Sequence, residues 1–261
     1  NLQPILLSSI EDGRLLKAKE GRTWREYCWT ATCFTISAVL DRAPGIDRVT
    51  YLDADLWFMR SPQCLLGQMT GDRGLLVTEH EYPPSRRGWD DMAGRFCVQF
   101  LTVARQPRAL EALGWWQERV LEWCYDRVEP GRFGDQLYLN HWPDLFGDTL
   151  TVVAPRGWCL GPWNADYWYP REPNPVMYHF HGLRFLGGGI VQLADLYRLG
   201  RARKAIYQPY LRDLAEGVAV ARRLGVGGPW DGPFRRPALG VRLRQWKRML
   251  RGWRHEARLS D

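Results

Sequence analysis

Apolar residues change their spacing several times along the chain, and each change predicts an element. Residues 5–7 follow Pro4 as a short apolar run, the pattern of a buried strand. From Thr23 to about Leu40, apolar and aromatic residues recur at every third or fourth position. That spacing predicts a helix, with Thr23 suited to cap it and Ala43-Pro44-Gly45 suited to end it. Residues 47–52, DRVTYL, are β-branched and aromatic, a strand that delivers Asp53-Ala54-Asp55 at its carboxyl end. Further strands are expected at 74–78, 96–103, 150–153 and 176–180, with a polar loop over 83–91. A helix over 108–126 would place Leu110, Leu113, Trp116, Val120 and Trp123 on one face. After the turn at Pro130-Gly131 another helix begins within 135–141, and 202–224 also has helical spacing. The alternation predicts an α/β fold, a Rossmann-like mixed sheet flanked by helices, with ligands gathered at the carboxyl ends of strands.

Composition agrees with a folded domain: 45% of the 261 residues are hydrophobic and 25% charged. No run of 18 uncharged apolar residues and no basic-then-apolar leader is present, so the expectation is a cytoplasmic protein without a membrane span. Six cysteines lack a C-x-x-C pair and sit mostly in apolar runs, which argues for small buried hydrophobes over zinc or disulfides. The net charge of +7 lies entirely in the tail: from Arg235 onward nine Lys or Arg face two acids, leaving 27 basic and 27 acidic residues before it. That distribution argues against nucleic acid as a partner. The stretch 225–237, GVGGPWDGPFRRP, reads as a linker between a body at 1–224 and a basic amphipathic helix in 238–261. In that helix Leu243, Trp246, Leu250 and Trp253 keep helical spacing among arginines and lysines. It fits peripheral contact with an anionic inner membrane leaflet, or packing on the domain with a solvated basic face. Fourteen Trp and eleven Tyr make either an aromatic core or sugar-stacking surfaces, with Trp163 and Trp168 the candidates for stacking because polar residues and prolines surround them.

Three segments carry chemistry. In YLDADLWF, Asp53 and Asp55 sit at a strand mouth where both carboxylates can reach a hard divalent cation such as Mg²⁺ or Mn²⁺. Seventeen Asp give about one D-x-D by chance, so position and not spacing carries that assignment. In MYHFHGLRF a strand ends in His179 and His181, either of which can complete a metal sphere or simply be structural. In FGDQLYLNHW, Asp135 and Gln136 open a helix, where Asp135 is a possible N-cap and Gln136 a neutral polar group facing a site.

In this order the segments resemble the GT-A fold glycosyltransferases, the nucleotide-diphospho-sugar transferases, and in particular the retaining family 8 and glycogenin-like enzymes and related bacterial sugar transferases. That family carries L-D-x-D at a strand end, D-Q at a helix start, a W-N or Y-N loop, and a terminal H-x-x-G. Here these are Leu52-Asp53-Ala54-Asp55, Asp135-Gln136, Trp163-Asn164 and His179-Phe180-His181-Gly182. The resemblance spans 53 to about 182. It implies Mn²⁺ or Mg²⁺ on Asp53, Asp55 and His179, with His181 the alternative. It also implies a nucleotide-diphosphate sugar as donor, most often a UDP-sugar, and a glycan or lipid-linked acceptor of the kind used in polysaccharide biosynthesis. Gln136 would border the anomeric carbon, Asp135 would hold sugar hydroxyls, and Trp163-Asn164 would line the donor. Arg184 lies one position before the family's diphosphate-binding Lys. Arg22, with Lys17 and Lys19, lies in a stretch that approaches the donor in that family or is a solvated loop here.

Two departures stand out. Where family 8 has F-N-x-G, this chain has Phe96-Cys97-Val98-Gln99, so donor identity does not carry over. A GT-A domain opens with a base-binding βαβ unit, and only residues 5–7 precede the first helix here, so that unit is expected to be lacking or replaced. The competing readings are a degenerate, carbohydrate-binding transferase-like module and another metal-dependent nucleotidyl or phosphoryl enzyme. The absence of a P-loop sequence counts against the latter.

Overall fold

The computed structural model describes residues 2–194, 197–234 and 256–259. In chain order the helices are α1 (Gly13–Glu20), α2 (Trp24–Arg42), α3 (Gln63–Leu66), α4 (Trp89–Ala93), α5 (Pro107–Glu122), α6 (Trp142–Phe146), α7 (Ala165–Trp168) and α8 (Gln208–Arg223). The strands are β1 (Arg48–Leu52), β2 (Leu56–Phe58), β3 (Leu75–Glu79), β4 (Phe96–Ala104), β5 (Leu150–Val152), β6 (Cys159–Leu160), β7 (Met177–His179), β8 (Arg184–Gly187), β9 (Ile190–Gln192) and β10 (Glu256–Arg258). The result is the expected α/β architecture of mixed sheets flanked by helices, divided into two compact units.

The first unit comprises residues 1–54 and 61–155. Its sheet has the order β1-β4-β3-β5, with β4 antiparallel to both neighbours and β3 parallel to β5. The strands β1, β3 and β5 therefore point the same way, and their carboxyl ends share one edge. Every residue of β3 and β4 is buried, as expected of strands covered on both faces. The helix α2 starts in a capping box: Thr23 accepts from the Glu26 amide while the Glu26 carboxylate accepts from the Thr23 amide. The helix α5 packs on α2 and β4 through Ala109, Ala112, Leu113, Trp116 and Val120, and the fully buried Trp116 meets Trp142 edge to face at 5.9 Å. Leu110, expected on this face, is 39% exposed. At about 100° per residue it lies a quarter-turn from Ala109, outside the arc that Leu113, Trp116 and Val120 share.

Residues 5–7 do not form a strand. Leu7–Ser9 is a 3₁₀ turn and Ile5 is exposed, because an apolar triplet becomes a strand only where a partner strand takes its hydrogen bonds. The helix foreseen from 135 begins as a 3₁₀ turn at Leu137–His141 and continues as α6. Among the cysteines, Cys33, Cys97, Cys124 and Cys159 are buried, Cys64 is half-buried and Cys28 is exposed.

The second unit comprises residues 55–60 and 156–261. One three-stranded sheet has the order β2-β7-β6, with β2 antiparallel and β6 parallel to β7; the other, β10-β9-β8, is antiparallel throughout. A second hydrophobic cluster centred on Tyr178, Phe180, Val191, Ile206 and Tyr207 packs these sheets against α8, which follows a π-helical turn at Arg203–Tyr207. The Gly/Pro-rich stretch is not free of the body. Trp230 meets Phe185 at 5.4 Å, the Gly188 amide donates to the Gly232 carbonyl at 2.9 Å, and Arg222 pairs with Asp231 at 2.8 Å. The basic helix expected at 240–254 lies outside the described residues, and Glu256–Arg258, within the segment read as helical, is strand β10 paired with β9. Among the described residues no helix is long and apolar enough to cross a membrane.

Candidate metal centre

Strand register explains how residues more than a hundred positions apart meet. In the second unit Leu56 of β2 lies opposite His179 of β7, and the Phe180 amide donates to the Asp55 carbonyl at 2.9 Å. Asp55, one residue before β2, is thereby held beside the last residue of β7, and its Oδ1 lies 3.0 Å from His179 Nε2. Burial alone would raise the Asp55 carboxyl, but the hydrogen bond and charge of His179 outweigh it and hold Asp55 below the ordinary aspartate value. His179 is 7% exposed, and its ring is walled by the edge of Trp163 at 5.4 Å and by His181 at 5.8 Å. His181 is itself exposed. Gly182 then turns the chain at φ +80°, a conformation glycine adopts without strain.

Asp53 sits two residues before Asp55, at the end of β1. Its backbone amide donates to the Gln99 carbonyl at 3.0 Å and its Oδ1 accepts from the Tyr51 hydroxyl at 2.8 Å. Ligand atoms of Asp53, Asp55 and His179 all lie within 4.8 Å of one another. Two carboxylates and an imidazole suit a small divalent cation, whose adjacent ligands at about 2.1 Å from the ion stand about 3 Å apart, the spacing of Asp55 and His179. These three residues, named together from the sequence, could hold a metal ion, and His181 is not part of the cluster.

Asp135, in the first unit, is 5% exposed, and its carbonyl accepts from Trp116 Nε1 at 2.8 Å. Burial pushes its carboxyl up to about 8, and the charge of Asp53 adds to the rise. Gln136 donates through Nε2 to the Ala93 carbonyl, next to Gly94, whose left-handed backbone (φ +107°) a side chain would strain. Asn164 is 1% exposed and takes up the turn after β6, accepting from the Gly161 amide at 2.9 Å and donating to the Cys159 carbonyl at 3.4 Å. Trp163 is 6% exposed, and a Cβ on Gly161 would stand 2.5 Å from its ring. Its position is a buried wall of His179, not the open stacking surface that its polar neighbours suggested, while Trp168 is half-buried.

Arg22 is engaged by the first unit itself: its guanidinium donates to Thr30 Oγ1 and to the Leu121 carbonyl at 2.7 Å. Lys19 pairs with Glu11 at 2.7 Å, whereas Lys17 is exposed. Arg184 is exposed at the start of β8. The residues that sequence reasoning missed are Tyr51 and Trp116, through their side chains, and Gln99, through its backbone carbonyl. Tyr51 was accessible, since residues two apart on a strand share a face. Gln99 and Trp116 meet Asp53 and Asp135 only through tertiary contact.

No family model matches the chain. It is 32% identical over 202 residues to the uncharacterised protein YfnF of Bacillus subtilis (strain 168), covering 71% of this chain and 65% of that protein. It is 29% identical over 227 residues to the uncharacterised protein YfnD of the same organism, covering 82% of this chain and 72% of that protein. The chain thus spans about two thirds of the length of these relatives. A solved structure of a glycosyltransferase involved in the glycosylation of the major capsid of PBCV-1 matches 70% of this chain and 75% of that chain. Its TM-score is 0.40 at 10% identity.

Proposed function

We propose that the chain is a metal-dependent glycosyltransferase of GT-A type, moving a sugar from a nucleotide-diphosphate sugar, a UDP-sugar first among them, to a glycan or lipid-linked acceptor with retention. The observation that carries this reading is the convergence of Asp53, Asp55 and His179 from a strand end and a strand more than a hundred residues later. The sequence motifs Asp135-Gln136 and Trp163-Asn164 lie in the order the resemblance requires. A bound Mn²⁺ or Mg²⁺ would neutralise the charge that builds on the leaving diphosphate.

The remaining work falls to side chains. Asp55 stays ionised, since His179 holds its carboxyl low, and its Oδ1, 3.0 Å from Nε2, would keep the imidazole oriented. Asp135, carrying its proton near neutrality, would donate to a sugar hydroxyl, which an ionised carboxylate cannot do. Gln136, neutral and half-buried, would border the sugar's reacting carbon without acting as a base. Arg184 would add a cation to the departing diphosphate, and Trp163 would exclude water behind His179.

Thermal unfolding with UDP-, GDP-, TDP- and CDP-sugars, each with and without Mn²⁺, tests the reading, because a ligand specific to the folded state raises the melting temperature. The expected result is a Mn²⁺-dependent rise with one nucleotide class, absent in Asp55→Ala. Sugar binding that persists in Asp55→Ala without metal would replace the transferase with a carbohydrate-binding module.

A further inference from the structure

The even balance of charge over residues 1–234 conceals a local imbalance in the second unit. A cavity of about 670 Å³ opens between the end of α7 and the helical stretch leading into α8, lined by Tyr169, Arg201, Lys204, Gln208 and Arg212 with Ala205 and Pro209 between them. Three of these seven residues are cations and none is an acid. Three other cations of the same unit do have partners: Arg198 with Asp166 at 3.8 Å, Arg222 with Asp231 at 2.8 Å, and Arg171 over the Tyr167 ring at 3.8 Å. Arg201, Lys204 and Arg212 make no side-chain hydrogen bond or ion pair with a described residue, although Asp213 is the next residue in the chain to Arg212. The Asp213 carboxylate instead accepts from Trp57 Nε1 at 3.0 Å, on another side of the helix.

The spacing is built by the helix. Positions 201, 204–205, 208–209 and 212 recur at three to four residues and form one face, while Tyr207, Tyr210 and Leu211 take the opposite side, where Tyr210 stacks on Phe180 at 3.6 Å. The π-helical turn at Arg203–Tyr207 falls within the cavity wall, and such turns are frequent at functional sites. A concave surface of this size is in the range that takes small ligands. Two guanidiniums and an ammonium with no ion pair to a described residue fit several negatively charged oxygens at close spacing, and guanidinium forks match phosphate oxygens in pairs.

We propose that this cavity is a second anion site, which takes the phosphate or diphosphate group of a phosphorylated ligand on Arg201, Lys204 and Arg212, with the Tyr169 ring as its wall. It is separate from the carboxylate–histidine cluster and stands whether or not the chain is a transferase.

The probe is inorganic pyrophosphate, titrated calorimetrically into the full chain with EDTA present, so that no metal can recruit it to Asp53, Asp55 and His179. Wild-type protein and Arg223→Glu, which changes an exposed cation at the far end of α8, are expected to bind equally. Lys204→Glu and the triple variant Arg201→Gln/Lys204→Gln/Arg212→Gln should lose about tenfold or more in affinity. All the altered side chains in both variants are exposed, so folding is preserved, with melting temperature as the check. A second arm floats the protein with vesicles of phosphatidylcholine with or without phosphatidylglycerol. Flotation that needs phosphatidylglycerol and the three cations names a lipid headgroup as the source; pyrophosphate binding without flotation names a free or singly attached phosphate group. The proposal falls if wild type binds neither probe, or if Arg223→Glu weakens binding as much as Lys204→Glu, since general positive charge would then be sufficient.

Discussion

At the scale of single residues, the carboxyls around the candidate metal centre are tuned in opposite directions. Asp55 reaches solvent and has His179 against it, so it stays ionised; Asp135 is enclosed, and burial, with the charge of Asp53 adding to it, pushes it up to about 8. The consequence for stability has a definite sign. A carboxyl whose folded value is raised binds a proton that the unfolded chain has released, so the stability it contributes is full below the unfolded value near 4 and is lost as pH rises to about 8. Asp135→Asn keeps the shape and removes the ionisation. In protein kept free of metal by chelator, this variant should gain on wild type as pH rises across that window, by at most ~1.4 kcal/mol per pH unit, with little difference at the acid end. Urea unfolding at several pH values measures this. Two curves that stay parallel from acid to alkaline pH would mean that Asp135 is not held neutral.

At the scale of elements, what was legible in the sequence was whatever a short stretch decides alone. Thr23-x-x-Glu26 is a complete instruction for a helix start, and α2 begins there. The same carboxylate reaches further than its own helix, because Glu26 Oε1 accepts from the Asp126 amide at 2.8 Å and so fastens the segment after α5 to the start of α2. That bond, and then the Thr23 hydroxyl, hold Glu26 below the ordinary glutamate value against the opposing effect of burial. A lowered value gives stability that is present above the unfolded value and is lost as pH falls through the folded one. Glu26→Gln should therefore lower the melting temperature at neutral pH and progressively less in acid, read from melting curves at each pH. An equal loss at all pH values would show that shape, not charge, matters at this cap. Elements defined by a partner were not legible. The triplet at 5–7 has the composition of a strand and, among the described residues, no strand beside it, Leu110 is apolar at a position the helix turns outward, and β10 exists through its pairing with β9. The candidate site divides the same way. Asp53, Asp55 and His179 were identifiable from residue type at strand ends, whereas the enclosure of Trp163 and the internal bonds of Arg22 and Asn164 depend on residues distant in sequence.

At the scale of the molecule, the division into two units does not follow the order of the chain. The first unit ends at Ala54, the six residues 55–60 belong to the second, and the chain then returns to the first until Pro155. Those six residues supply Asp55 and the edge strand β2, which covers one side of β7 in the sheet β2-β7-β6. They also supply Trp57 and Met59 to the cluster around Phe180 and Tyr207. A cut after Pro155 therefore falls between units in sequence, yet it separates β7 from the strand that sets Asp55 beside His179. Residues 156–261 made alone would leave the amide and carbonyl edge of β7 unpaired and part of its apolar cluster bare, a form expected to aggregate or bind hydrophobic dyes. Making 1–155 in the same cells should restore a folded, soluble pair, because residues 55–60 then return to β7. Hydrogen exchange at Tyr178 and Phe180 reports the repair directly: slow in the pair and fast in the isolated fragment. Slow exchange there in 156–261 by itself would mean that the second unit folds without β2, and that Asp55 is held beside His179 by something other than strand pairing.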